Sequence, residues 1–244
     1  MLSTLTDFFV QSSKWSNDNQ GVVSIGIFVV TIGFGWISGI FSALRRKPKF
    51  KIRLIDGPTF CCTYPIGKTN GVHETHRTGI ALYLAITNTG SAASSIANIS
   101  IGYHWHIRPF SLAWLKYSVC WFWLHNQTAA LSDFQAKIGE NIKVFPFLTQ
   151  TNQLTQVDAK NYLQPGQSTN GVVYFEQSDS WGACFPSPRK KGVPIKVAIE
   201  DAFGNRHCAK FHIPSVSMEY ARTYNPSFGK TLAELRGDQL PFDC

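Results

Sequence analysis

The sequence predicts a mainly β protein: an N-terminal transmembrane helix, an antiparallel β-sandwich with an aromatic helical insertion, and short C-terminal helices. Three observations carry this. Residues 21–44 run for 24 positions without a charge. After residue 48 the apolar residues recur with a period of two, as in strands. Turn-forming clusters separate these runs at short spacing, without the βαβ alternation of a parallel sheet.

The uncharged run, "GVVSIGIFVVTIGFGWISGIFSAL" from Gly21 to Leu44, is long enough for the ~30 Å hydrocarbon core at about 1.5 Å per residue. A secretory signal peptide has a basic start, a shorter apolar core and a small-x-small cleavage site. Here Asp7 and Asp18 outweigh Lys14 before the run, and a basic cluster follows it. The span reads as a retained anchor. The preceding residues 1–20 suit a short interfacial helix, with Leu2, Leu5, Phe8 and Phe9 on one side and Trp15 at headgroup level.

Charge sets the direction. The chain carries +8, of which residues 45–53, "RRKPKFKIR", supply +6. Basic residues beside a span stay on the cytoplasmic side, so the expectation is an inner-membrane protein with its N-terminus outside and its large domain cytoplasmic. Arg45, Arg46, Lys47, Lys49, Lys51 and Arg53 are also suited to anionic lipid headgroups. The remainder is nearly balanced, so direct nucleic-acid binding is not expected from a pI near 9. Within the span, Thr31, Gly35, Gly39 and Ala43 recur every four residues and include a GxxxG. Such a ladder lets two helix backbones approach closely, which predicts self-association.

The strands follow in order. "FKIRLIDG" alternates apolar and basic residues. Ile80, Leu82, Leu84 and Ile86 fill one face of a strand, "NTGSA" turns the chain, and Ile96, Ile99, Ile101 and Tyr103 mark the next. "ENIKVFPFL" supplies another. "YLQPGQS" turns into a strand at Gly171–Glu176, and "IKVAIEDAFGNRHCAKFHI" is a hairpin around "DAFGN". That makes about seven strands in residues 54–214. "VSMEYARTYN" and "GKTLAELRG" in the tail, 215–244, have helical composition.

Three of these pieces, "LAITNTGSA", "LQPGQS" and the "EDAFGN" hairpin, resemble bacterial immunoglobulin-like β-sandwich modules. The layout of one anchor and one compact cytoplasmic domain resembles small membrane effectors of bacterial anti-phage defence systems. The first resemblance implies a fold and the second a non-enzymatic membrane effector; a sandwich by itself specifies no function.

Catalytic and cofactor signals are weak. Six cysteines, Cys61, Cys62, Cys120, Cys184, Cys208 and Cys244, show no disulfide framework and read as reduced. Gly67-Lys68-Thr69 is the tail of a P-loop whose leading glycine is replaced by Cys62. His73 with His76, and His104 with His106, are pairs without a third or fourth ligand at zinc spacing. Arg189, Lys190 and Lys191 read as a solvated hairpin tip. No GxSxG, HExxH or kinase set is present. No cofactor, metal or catalytic residue is expected, although a Cys–His site assembled in space is the enzymatic alternative.

The most unusual stretch lies within the insertion, residues 106–134: "FSLAWLKYSVCWFWLHN", Phe110–Asn126. As a helix, Phe110–Leu124 reaches about 22 Å, short of a bilayer. A single crossing would also separate strands that belong to one sandwich. Three readings stay open: a helix packed on the sandwich, an in-plane or re-entrant segment, or a protein interface. Trp114, Tyr117, Trp121, Phe122 and Trp123 are the candidate membrane or partner contacts, since Trp and Tyr favour both settings. The functional expectation is a non-enzymatic effector that binds a cytoplasmic protein or nucleoprotein partner and acts at the membrane by assembling or permeabilising it. The alternative is a structural subunit of a membrane complex.

Overall fold

The computed structural model describes residues 10–11, 13–40, 46–107, 110–149 and 161–230. The chain divides into two compact units, Met1–Arg46 and Lys47–Cys244. In the first, helix α1 spans Gln20–Ile37 and buries none of its residues. It is long and apolar enough to cross a membrane. It ends earlier than the uncharged run because Gly39 takes φ +74°, the left-handed conformation in which glycine closes helices. The Ser38 N–H donates to Phe34 and the Gly39 N–H to Trp36. The expected ladder therefore breaks: Thr31 and Gly35 lie in the helix, Gly39 stops it, and Ala43 lies outside the described residues, as do Arg45 and residues 1–9 and 12 of the proposed interfacial segment.

The second unit holds eleven strands among the described residues. One sheet contains β1 (Phe50–Leu54), β2 (Phe60–Asn70), β3 (His73–Asn88) and β9 (Ser168–Trp181). β1 and β2 share one edge of β3 and β9 runs along the other, all antiparallel. The second sheet runs β11 (Arg206–Ile213), β10 (Val193–Asp201), β4 (Ser94–Tyr103), β5 (Phe122–Leu124), with β8 (Tyr162–Leu163) also on β4. β6 (Phe134–Ile138) and β7 (Asn141–Phe145) form a separate hairpin.

The alternation in β3 sets the layers. Ile80, Leu82, Leu84 and Ile86 face the second sheet and share a core with Ile99, Ile101, Ile195, Val197 and Ile199. Ala81 and Tyr83 point the other way. They pack with Phe60, Val172 and Tyr174 against Phe134 and Phe145 of the hairpin and against Ala221 of helix α2 (Met218–Tyr224). A sheet covered on both faces explains why "GIALYLAI" reads as a nearly unbroken apolar run.

Hydrogen bonds join the two sheets at two places, Asn88 to Leu163 and Tyr103 to Gln177, which mark two ends of the module. At the entry end, Lys47–Lys49 exchange hydrogen bonds with the Asn88–Ser91 turn. An added Cβ at Gly90 would lie 2.3 Å from the Lys47 carbonyl oxygen, so only glycine admits the entering chain. Ser94 and the Asp201–Asn205 turn lie at this end. At the far end are Tyr103, bonded to Gln177, and the β2–β3 turn at Gly71–Val72. The ten residues of β4 separate the ends by about 33 Å. The basic cluster also divides: Lys51 and Arg53 are exposed positions of β1 and belong to the sheet, while Lys47 and Lys49 belong to the entry strap.

Candidate functional site

The aromatic stretch is not one helix. It divides near Cys120. The second half is β5, paired to β4 through Ile101↔Leu124, Gly102↔Trp123 and Tyr103↔Phe122. Strand geometry sends alternate side chains to opposite faces. Phe122 and Leu124 pack against the core between the sheets. Trp123 lies on the outer face over Gly102, where an added Cβ would meet its ring at 3.1 Å. The Arg206 guanidinium sits 5.0 Å above that ring and the Lys196 ammonium 5.7 Å. Trp121 stacks on His104 at 4.1 Å, with Lys210 at 5.9 Å. Burial holds the His104 imidazole below its ordinary pKa, with Arg189 and Lys210 adding to the shift against its backbone bond to Cys120. These rings are therefore engaged by the module itself.

The first half is a tip. Ser111 caps a single helical turn, Leu112–Trp114, by accepting from the Trp114 N–H at 3.0 Å. A π turn, Leu115–Val119, follows. Tyr117 anchors the tip by packing on Trp105 at 4.2 Å, and the Trp105 N–H donates to the Tyr117 carbonyl. Outward, Phe110 is 95% exposed and Leu112 88%, with Leu115, Val119 and Lys116 also exposed. Phe110 takes φ +68° and is the non-glycine residue in that region among those described. A bulky residue there is strained, and such strain collects at contact and switch sites. Trp114 is half-buried beside it, ring to ring at 5.8 Å. Of the five expected contact residues, Trp114 and Tyr117 belong to the tip, while Trp121, Phe122 and Trp123 are half-buried and pack on the module. The outward residues Phe110, Leu112, Leu115 and Val119 were not singled out, because exposure cannot be read from an apolar run.

The remaining candidates occupy structural places. His76 and His106, one from each histidine pair, flank the Phe185 ring at 5.5 and 5.3 Å. His76 Nε2 bonds the Gly182 carbonyl and His106 Nδ1 lies 3.2 Å from Ser187 Oγ. They pin the loop after β9 to the far end. Among the described residues no group of three His, Cys, Asp or Glu could hold a metal. Gly67-Lys68-Thr69 is an irregular part of β2, not a loop opening a helix. Burial, and then Cys62, pushes the Cys61 thiol up to about 12, and burial pushes Cys62 to about 11; both are protonated and poorly nucleophilic at neutral pH. A cavity of about 280 Å³ lies beside Arg77, Tyr174, Glu176, Phe228 and Lys230. Its principal charges are already used: Arg77 pairs with Glu176 at 3.1 Å, and Tyr174 donates to the same carboxylate. Arg189–Gly192 is a tight turn, closed by two backbone hydrogen bonds.

No protein-family model and no curated protein matches this chain.

Proposed function

We propose that this chain is a non-enzymatic, single-pass inner-membrane protein that works by binding. Helix α1 anchors it with the N-terminus outside, and an immunoglobulin-like module carries the tip into the cytoplasm. The tip takes a cytoplasmic protein partner. The observation that carries this reading is the outward Phe110–Leu112 pair on a strained backbone at the end away from the entering chain. Exposed apolar clusters of this kind favour protein contacts. The basic residues after α1 favour the orientation. Partner binding, in turn, governs association of α1 through Thr31 and Gly35, as suits an effector that damages its own membrane when released, in the manner of anti-phage effectors.

Expression without partners in a bacterium tests this, with entry of a membrane-impermeant dye as the readout. Dye entry that is lost in Gly35→Ile is the expected outcome. The same readout in Phe110→Ser/Leu112→Ser should remain, because the tip serves control and not damage. Harmless accumulation of the intact chain at high level would remove the effector reading and leave a structural subunit of a membrane complex.

A further inference from the structure

The entry end carries exposed aromatic residues of its own. Five pieces of chain meet there: Lys47–Lys49, the Asn88–Ser91 turn, β8, the Gln164–Gln167 turn and the Asp201–Asn205 turn. Backbone and Asn88 side-chain bonds tie the first four together. The fifth is tied to β4 by Ala202, whose N–H donates to Ser95, and β8 pairs with the same Ser94–Ser95. On this frame Phe203 is 67% exposed and Tyr162 59% exposed.

Phe203 is held out rigidly. Buried Asp201 accepts from the Phe203 and Asn205 N–H groups at 2.9 Å each and from His207 Nε2 at 2.9 Å. The other nitrogen of His207, Nδ1, accepts from the Phe50 N–H at 3.4 Å. The turn that presents Phe203 is thus fastened to the first residue of β1. Lys47 and Lys49 are exposed beside it. An exposed aromatic residue on a fastened turn, at the same end of the module as two exposed lysines that follow an apolar helix closely in sequence, matches the chemistry of a membrane interface.

We propose that the entry end is a second lipid contact, with Phe203 and Tyr162 in the headgroup region of the bilayer that holds α1 and Lys47 and Lys49 against anionic headgroups. This rests on the reading of α1 as a membrane span. The occupant follows from connectivity and charge. Only six residues lie between Ile40 and Lys47, seven steps of about 25 Å in all at full extension, so the surface within reach of this end is the bilayer itself. Two aromatic residues and two lysines complement the apolar and anionic layers of that surface.

The full chain tests this after reconstitution into vesicles of about seven parts phosphatidylcholine to three parts phosphatidylglycerol, an anionic surface. Three variants carry a photo-crosslinker: Phe203→p-benzoylphenylalanine, Phe110→p-benzoylphenylalanine and Phe28→p-benzoylphenylalanine. After illumination, phospholipid adducts are counted by intact mass. The position 203 variant should give about fivefold more lipid adduct than the position 110 variant, as interfacial placement of one end requires. Adding Lys47→Glu/Lys49→Glu should lower that yield. Equal or lower yield at 203 than at 110, or cross-linking of 203 mainly into chain dimers, overturns the proposal. Position 28, inside α1, separates the two readings. Lipid adducts there without adducts at 203 reject only the second contact, whereas their absence at both rejects the span and the contact together.

Discussion

The two ends of the module are finished in opposite ways. At the entry end, the buried polar side chains Asn88 and Asp201 each find several partners. Asn88 is fully buried, accepts from the Lys49 and Gly90 N–H groups, and donates to the Ala92 and Leu163 carbonyls. Asp201 is buried and accepts from its own turn and from His207. At the far end, apolar side chains go outside: Phe110 and Leu112 stand in water on a strained turn. A buried, satisfied polar group fixes geometry because every alternative leaves it unpaired. An exposed apolar group fixes nothing within the chain and is available to something else. The difference teaches that one end is fixed by its own buried polar groups, while the other leaves apolar surface uncovered by the module.

The strongest way to break this comparison is at Asn88. Asn88→Ala strands two N–H groups and two carbonyls at the entry, and should cost about 3 kcal/mol. Urea unfolding of the detergent-solubilised chain measures it. A loss below about 1 kcal/mol, the worth of one ordinary hydrogen bond, would show that the entry strap is held by other means.

A smaller effect is expected at Asp201. Burial works against its charged form. Hydrogen bonds from His207, Asn205 and the Phe203 N–H outweigh burial and hold the carboxyl below its ordinary value of 3.8. A carboxyl depressed on folding contributes stability that is complete above the unfolded value and is lost as pH falls through the folded one. Asp201→Asn should therefore destabilise the chain by about 2 kcal/mol at neutral pH. The gap between the two proteins should stay level down to about pH 5 and close below about pH 4. A gap that is unchanged at pH 3 would mean that the ionised carboxylate contributes nothing.

The smallest effect has the opposite sign. Phe110→Gly removes a side chain from a left-handed position and should raise stability by about 0.5 kcal/mol. Loss of stability in the same unfolding assay would place Phe110 among the packed residues and erase the contrast between the ends.

How much of this was legible follows from the physics of each element. β1 and β11 alternate in burial along their length, and β4 and β10 carry period-two apolar residues with small or buried neighbours on the second face; each was expected. β2 was not, because Cys61 and Cys62 are buried on opposite faces and Pro65 precedes an irregular register; its period is masked and its tail imitates a phosphate loop. β5 has three residues, too few for any period, and its aromatic content suggested a helix. Helix α2 was expected from composition, whereas the second tail helix, from residue 231 onward, lies outside the described residues. Lys51 and Arg53 fall both in the basic cluster and in the alternating run "FKIRLIDG", and they are the exposed positions of β1.

The sequence by itself determined the apolar helix, the mainly antiparallel β character and the segregation of positive charge, because these depend on local runs and local periods. Only the tertiary structure decided which half of "FSLAWLKYSVCWFWLHN" is core and which is surface. Both halves are rich in aromatic and apolar residues. Pairing with β4 buries Phe122 and Leu124, while the residues before Cys120 find no strand to join and turn outward as a tip. Burial is a property of what the rest of the chain places opposite a residue, and no local pattern encodes it.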